Sequence, residues 1–251
     1  MNKNETKKLI IAGPCAIETK TQFYNTVDQI HHHTDVIRAG AWKARTCAES
    51  YPGIGTKALS WIQDVQEKYQ TPVAIEVGTP NHVELAINHN INIIWIGART
   101  TVNPFYVEEI ARSLEGSNLE VWVKNPIIAD LKLWIGAIER FKKRGVKKIK
   151  AIHRGFFNEK KNSIYRNRPY WELLKDFIKL SPHNTPIICD PSHIAGQKKY
   201  VYKIAEKAYK NKLGGLMLEV HCNPSQALSD KKQQLNPEEF KRLLSRLNEK
   251  Y

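Results

Sequence analysis

The chain is expected to fold as a single (β/α)8 barrel, an α/β domain covering residues 1–251. Three observations predict it. Short apolar runs recur roughly every thirty residues, the repeat of a strand, a helix and their connections. The stretches between runs are long enough for the helical crossovers that parallel strands require. Nearly every run closes on a reactive cluster: Gly13-Pro14-Cys15, Arg38-Ala39-Gly40, Glu76, Ala98-Arg99-Thr100, Lys124-Asn125-Pro126, His153-Arg154-Gly155, Asp190-Pro191-Ser192-His193 and Glu219-Val220-His221. A closed barrel assembles its site from groups at the carboxyl ends of successive strands. A doubly wound open sheet is the structural rival, but regular units with functional residues after all of them fit closure better.

Residues 9–17 read as the first strand and 19–33 as its helix. The second strand, 36–40, leads into a long loop through Gly55, whose glycines permit tight turns, and a helix ending near Tyr69. Strand 72–77 is followed by a helix over 81–90, with Pro80-Asn81 as its cap. Strand 93–98 precedes a helix over 104–114, and strand 120–124 a helix over 131–144. Strands 148–153, 186–190 and 215–220 alternate with helices over 169–180, 198–212 and 237–248. The runs are rich in Val, Ile and Leu rather than cleanly alternating, as when both sheet faces are covered. Residues 1–8 are polar and read as a frayed terminus, not a secretory signal.

Hydrophobic residues make up 41% of the chain and charged residues 25%, which suits a globular core and argues against disorder. Lys and Arg number 39 against 25 Asp and Glu, a net charge of +14. Such an excess can attract nucleic acid, anionic membrane or anionic metabolites. Much of it lies in Lys142-Lys143-Arg144, Lys147-Lys148 and the 207–212 stretch, on or beside outer helices, and reads as solvated surface. Neither a nucleic-acid nor a membrane partner is expected. Cys15, Cys47, Cys189 and Cys222 form no Cys-x-x-Cys pair, which favours reduced thiols and a cytoplasmic location. No run approaches the ~18 apolar residues of a membrane span.

Two constellations carry chemistry. Cys15, His193 and Glu219 follow strands one, seven and eight, which are neighbours in a closed barrel, and Asp230 follows strand eight. A thiolate, an imidazole and two carboxylates would suit Mn²⁺, Fe²⁺, Co²⁺ or Zn²⁺. Taken singly, Cys15 could be a small buried residue, His193 a satisfied core histidine and Asp230 a helix cap. The second set is cationic: Arg38, Lys43, Arg45, Arg99, Lys124 and Arg154, all on one face. One such residue is usually a salt bridge, but six around one mouth with few carboxylates point to phosphorylated substrates. The stretch from Ala98 to Pro104 opens a helix whose amino end could also favour an anion. No P-loop, dinucleotide fingerprint, Gly-x-Ser-x-Gly or His-Glu-x-x-His occurs, so those classes drop out.

At these residues the chain resembles the 3-deoxy-D-arabino-heptulosonate 7-phosphate (DAHP) synthases of the type I beta group, relatives of the 3-deoxy-octulosonate 8-phosphate synthases. The motifs are long: Ala12-Gly13-Pro14-Cys15, the Arg38 to Thr46 segment RAGAWKART, the Trp95 to Pro104 segment WIGARTTVNP, Val123-Lys124-Asn125-Pro126, Ile152-His153-Arg154-Gly155, Cys189-Asp190-Pro191-Ser192-His193, and the Leu228 to Gln234 segment LSDKKQQ. The resemblance implies a divalent metal held by Cys15, His193, Glu219 and Asp230. It implies phosphoenolpyruvate on Arg38, Lys43, Arg99, Lys124 and Arg154, and erythrose 4-phosphate on Arg45 and Thr46. Octulosonate enzymes carry an Asn-Arg-Ser type sequence after the lysine, so Arg45-Thr46 favours the heptulosonate product. Ala44 stands where the family usually has proline, Ala16 where it has serine, and Val220 where serine is frequent.

The implied reaction condenses phosphoenolpyruvate with erythrose 4-phosphate and water, releasing phosphate, as the first step of the shikimate route to aromatic amino acids. Lys43 is the candidate proton donor, Glu76 could position water, and His221 could assist proton transfer or support the metal ligands. An octulosonate or related sugar-acid synthase is the nearest rival; a basic nucleic-acid-binding barrel is a more distant one. The family implies a homo-oligomer, dimer or tetramer. With the barrel starting almost at the first residue and ending near Tyr251, the chain is expected to be a barrel-only enzyme or the barrel part of a longer protein, fused to or associated with chorismate mutase.

Overall fold

The computed structural model describes residues 7–159 and 163–251. Residues 1–6, most of the expected frayed terminus, lie outside that range; within it, Lys7 pairs with Asp35 at 2.6 Å. In chain order the elements are β1 (Leu9–Gly13), α1 (Lys20–Ile30), β2 (Val36–Ala39), α2 (Lys57–Tyr69), β3 (Val73–Val77), α3 (Pro80–Asn88) and β4 (Ile93–Ile96). Then come α4 (Ala98–Thr101), α5 (Pro104–Ser113), β5 (Glu120–Lys124), α6 (Leu131–Lys143), β6 (Ile149–His153) and α7 (Trp171–Leu180). The series ends with β7 (Ile187–Cys189), α8 (Pro191–Ala195), α9 (Lys198–Lys210), β8 (Gly215–Glu219) and α10 (Pro237–Asn248). The strands form a closed parallel barrel in sequence order, with Leu9 opposite Gly215 and Gly13 opposite Glu219 where β8 returns to β1.

Both faces of the strands are apolar, for different reasons. Outward residues such as Ile37, Ile75, Ile94 and Val121 pack against the helices' Phe23, Ile62, Trp134 and Phe141 in one continuous core. Inward residues Ile11, Val36, Ala74, Ile93, Trp95, Trp122, Ile152, Ile188 and Met217 fill the barrel itself. Strand side chains alternate faces, so the inward position next towards the mouth is two residues further on. Those positions are Gly13, Arg38, Glu76, Gly97, Lys124, Arg154, Asp190 and Glu219. The same step in the other direction reaches Glu120 and Lys150, which pair with each other, while Trp122 Nε1 donates to Glu120 Oε1 at 2.6 Å. One end of the barrel therefore carries a chemical layer and the other a floor.

Several boundaries differ from the expected ones, each with a local cause. β1 stops at Gly13 rather than 17 because Pro14 has no N–H for the ladder. The Cys15 amide instead donates to Gln234 Oε1 at 3.0 Å and the Ile17 amide to the Gly40 carbonyl at 2.9 Å. α3 is capped by Thr79, whose side chain accepts from the His82 amide, one residue before the expected Pro80-Asn81 cap. Ala98 opens α4 rather than ending a strand, and Asp190 ends β7 early by capping α8. The amino end of α5 offers no vacant anion site at its first turn, because Asn103 Oδ1 already accepts from the Phe105 and Tyr106 amides.

Part of the basic surface is engaged in contacts: Arg144 pairs with Glu108 and Glu115, and Lys142 donates to the Pro182 carbonyl. Among the described residues, no helix is long and apolar enough to cross a membrane.

A Cβ on Gly13 would overlap the Arg38 carbonyl oxygen of β2, and its φ of 154° already disfavours a side chain. Gly13→Ala should therefore lower stability by about 1–3 kcal/mol, read as a drop in denaturation midpoint, from overpacking a site that cannot yield.

Candidate active site

Cys15, Glu219 and Asp230 offer ligand atoms that all lie within 4.8 Å of one another, a group that could hold a metal ion. Each comes from a different place. Pro14 turns the chain off β1 so that Cys15 lies above the barrel; Glu219 ends β8; Asp230 sits in the loop before α10 with a left-handed φ of 46°. Aspartate tolerates that conformation better than most side chains do. Cys15 Sγ is 3.4 Å from Asp230 Oδ2. His193 lies on α8, beyond the end of β7, and brings Nε2 to 3.7 Å from Glu219 Oε1 and 3.9 Å from Asp230 Oδ2. Its Nδ1 stands 2.8 Å from Asp190 Oδ2, which orients the ring.

Each carboxylate has one oxygen engaged and one turned to the group. Gln233 Nε2 donates to Glu219 Oε2 at 2.6 Å, while Glu219 Oε1 is buried with no hydrogen-bond partner among the described residues. Arg166 Nη1 donates to Asp230 Oδ1 and Gln233 Oε1, both at 3.0 Å, leaving Asp230 Oδ2 beside the thiol. A thiol, an imidazole and two carboxylate oxygens, one of them without a hydrogen bond although Arg38 lies 3.3 Å away, fit a divalent transition metal. Burial and the Glu219 charge push the Cys15 thiol up to about 12. A cation bound there would have to displace that proton. Burial alone would raise Asp230, but His193 and Arg166 hold it well below the usual carboxylate range.

The expected cations do not form one uniform ring. Arg38 is fully buried and faces the metal group: Nη1 lies 3.3 Å from Glu219 Oε1 and Nη2 3.4 Å from the Cys15 carbonyl. Lys124 Nζ donates to Asp190 Oδ2 at 2.9 Å, and Lys43 Nζ stands 3.8 Å from Glu76 Oε2. Gly97 makes room for Glu76, whose carboxylate would overlap a Cβ there. The other three cations have no carboxylate partner within 4.0 Å among the described residues. Arg99 donates to Thr46 Oγ1 at 2.8 Å, Arg45 to the Tyr51 carbonyl at 2.8 Å, and Arg154 to Asn167 Oδ1 at 3.0 Å. Arg154 is only 8% exposed, and burial lowers it to about 10. Lys43, Arg45, Arg99 and Glu76 line a cavity of about 510 Å³ together with Trp42, Thr79 and His82.

His221 is set apart from these groups. Its Nδ1 accepts from the Asn223 amide at 2.9 Å, and Nε2 lies 3.6 Å from Glu18 Oε2. Sequence reasoning missed Arg166 and Asn167, which share a loop with no periodicity to mark them. Asn167 joins Arg154 to α8, donating to the His193 carbonyl at 2.6 Å. Asp190 was visible as an acid in a strand-end cluster, yet its burial and its pairing with both Lys124 and His193 need three dimensions. Burial opposes its ionisation, but His193 and Lys124 hold it well below the usual range.

Replacing Arg166 with Ala frees the second oxygen of Asp230 and loosens Gln233. Affinity for Co²⁺ or Zn²⁺, measured by competition with a chelator, should fall about 10–100-fold while thermal stability changes little. His153 supplies a pH test. Its ring is buried beside Phe156 and Trp171, and burial lowers it from 6.5 to about 3. An unfolded chain takes up that proton as pH falls through 6.5, whereas the folded chain resists until about 3. This group therefore leaves stability untouched at higher pH and reduces it as pH falls through that window. Denaturation midpoints compared at about pH 7 and about pH 4 should drop more for the wild type than for His153→Phe, by up to a few kcal/mol.

The sequence profile of the DAHP synthetase I family matches residues 1–251. A phospho-2-dehydro-3-deoxyheptonate aldolase of Thermotoga maritima is 30% identical over 243 residues, covering 95% of this chain and 68% of the relative. A 2-dehydro-3-deoxyphosphooctonate aldolase of Bartonella henselae is 23% identical, covering 98% of this chain and 91% of the relative. A crystal structure of the Thermotoga maritima DAHP synthase superimposes with a TM-score of 0.85 at 28% identity, over 96% of this chain and 68% of that one. A truncated form of 3-deoxy-D-arabino-heptulosonate 7-phosphate synthase from the same organism gives 0.82 at 26% identity, over 99% and 90%. With its whole length matched by the profile, a barrel shared with solved members and the expected motifs gathered at one mouth, the chain belongs to the DAHP synthetase I family.

Proposed function

We propose that this chain is a metal-dependent DAHP synthase, joining phosphoenolpyruvate to D-erythrose 4-phosphate with water to give DAHP and inorganic phosphate. The observation that carries the reading is the unneutralised cation at the mouth. Arg154 is buried without a carboxylate partner among the described residues, beside a second group, Arg99 and Arg45, equally without one. A buried guanidinium costs several kcal/mol unless an anion meets it, and two phosphorylated substrates supply that anion. The 30% identical Thermotoga relative, named a phospho-2-dehydro-3-deoxyheptonate aldolase, supports the heptulosonate product over the octulosonate one.

The roles follow from position. Lys124, Arg154 and Arg99 hold phosphoenolpyruvate, with Arg38 beneath them stabilising Glu219. Arg45 and Thr46 take the aldose phosphate. When bound by Cys15, His193, Glu219 and Asp230, a divalent cation supplies Lewis acidity for the aldehyde oxygen. Carbon 3 of phosphoenolpyruvate forms the new bond to the aldehyde carbon, leaving positive character at carbon 2. Lys43 Nζ gives a proton to the alkoxide, and Glu76, held 3.8 Å from Lys43, orients the water that adds to carbon 2 and takes the proton that this water gives up, which returns to Lys43. The tetrahedral adduct then expels phosphate, whose departing charge is met by Arg99, Lys124 and Arg154. His221 acts from outside the reacting atoms, through Glu18 and the loop that carries Asp230. We further infer that this barrel domain belongs to a cytoplasmic homo-oligomer in the shikimate route, fused to or associated with chorismate mutase, which co-purification would test.

Phosphate release with erythrose 4-phosphate should exceed that with arabinose 5-phosphate by at least roughly tenfold at equal concentration; the reverse order would assign the octulosonate reaction. Chelation should abolish turnover and Mn²⁺, Fe²⁺, Co²⁺ or Zn²⁺ should restore it, whereas full activity in metal-free protein would refute the Lewis-acid assignment. Lys43→Met should reduce kcat about 10²–10⁴-fold with a small change in metal affinity.

A further inference from the structure

The 510 Å³ cavity beside the candidate active site has walls of different character. Lys43, Arg45 and Arg99 supply positive charge, whereas Thr79, His82 and Thr100 supply neutral polar groups. An anionic end joined to a run of hydroxyls, the chemistry of an aldose phosphate, would complement both. Within the neutral wall, His82 is held from two sides. Its ring stacks on Trp42 with centroids 4.0 Å apart and planes within 8° of parallel. The Gly78 amide donates to its Nδ1 at 3.3 Å.

That second contact fixes the tautomer. With Nδ1 accepting, the neutral ring carries its proton on Nε2, and burial lowers the imidazole so that it stays neutral. Nε2–H is then a donor with no protein acceptor among the described residues, on a ring that lines the cavity. The stack has a second effect. Trp42 immediately precedes Lys43, Ala44 and Arg45, and Ala44 leaves that segment without the fixed φ of a proline. A flat ring pressed on Trp42 constrains the segment from its side-chain face instead.

We propose that His82 is an aldose-binding residue of this enzyme, donating through Nε2–H to a hydroxyl of the aldose phosphate while its stacked ring holds Trp42 and the Lys43–Arg45 segment in place. The proposal rests on the reaction assigned above for the identity of its ligand. His82→Phe retains a flat ring and removes the donor; His82→Ala removes both. The first should raise the KM for erythrose 4-phosphate, and its calorimetric Kd, roughly three- to tenfold, with the KM for phosphoenolpyruvate unchanged. The second should raise both aldose constants further and lower kcat as the Lys43 segment loosens, with the far-ultraviolet spectrum preserved.

An unchanged aldose KM and Kd in His82→Phe, or an equal rise in the phosphoenolpyruvate KM, would overturn the proposal. Calorimetry separates this outcome from failure of the reaction itself. If wild-type protein releases no phosphate from phosphoenolpyruvate with either aldose, the assigned activity falls. Binding of erythrose 4-phosphate to wild type but weakly to His82→Phe would still support the role of His82, and absence of binding to wild type would overturn it.

Discussion

A layer of charge lies inside the closed barrel, where water cannot neutralise it. Arg38, Lys124 and Arg154 share that layer with Glu76, Asp190 and Glu219, and each carboxylate is within reach of a cation. Arg38 answers Glu219, Lys124 answers Asp190, and Lys43 comes down from its loop to Glu76. Buried ions of this kind are tolerated only when paired or hydrogen-bonded, so the positions of the loops above follow from the layer below. His193 is oriented by Asp190, Cys15 is held over Arg38, and Arg154 is left to the amide of Asn167. The metal group and the anion group are thus two halves of one electrostatic arrangement.

The amides give this arrangement its connections. Asn125 Oδ1 accepts from the Arg154 amide at 2.7 Å, while its Nδ2 donates to the Pro126 and Gly155 carbonyls. Asn167 continues from the Arg154 guanidinium to α8. Gln233 and Gln234 do the same on the other side, tying Glu219 to Arg166 and the Cys15 backbone to the loop that carries Asp230. Neutral groups with both donors and acceptors can bridge unlike neighbours without adding charge. The ionisable residues consequently keep their pairing while backbone segments far apart in sequence are held together.

Apolar runs that close on charged residues explain what could be read without coordinates. Ile152 to Arg154, Trp122 to Lys124 and Met217 to Glu219 are each a step of two, so an apolar inward residue announces the charged one above it. Those residues and the barrel were legible from the run ends, and the step of two became visible once the strand faces were assigned. Cys15 and His193 lie off the strands, and the turns that bring them back depend on Pro14 and on the Asp190 cap, which a strand pattern does not register. Arg166 and Asn167 were hidden altogether: an arginine and an asparagine in a polar loop carry no local sign of a partner 64 or 26 positions away. Arg38 was legible as a cation at a strand end, but its burial and its partner Glu219, from the far end of the chain, were not.

The floor formed by Glu120, Lys150 and Trp122 has a consequence for traffic. Above it Trp95, Ile152 and Met217 fill the barrel, so among the described residues the groups that carry chemistry, Cys15 and Glu219 included, are gathered at the opposite end. The cavity lined by Lys43, Arg45 and Arg99 takes one part of that end, and Cys15, Glu219 and Asp230 take another. An ion and a phosphorylated compound would therefore approach from the same end of the barrel, each to its own patch of it.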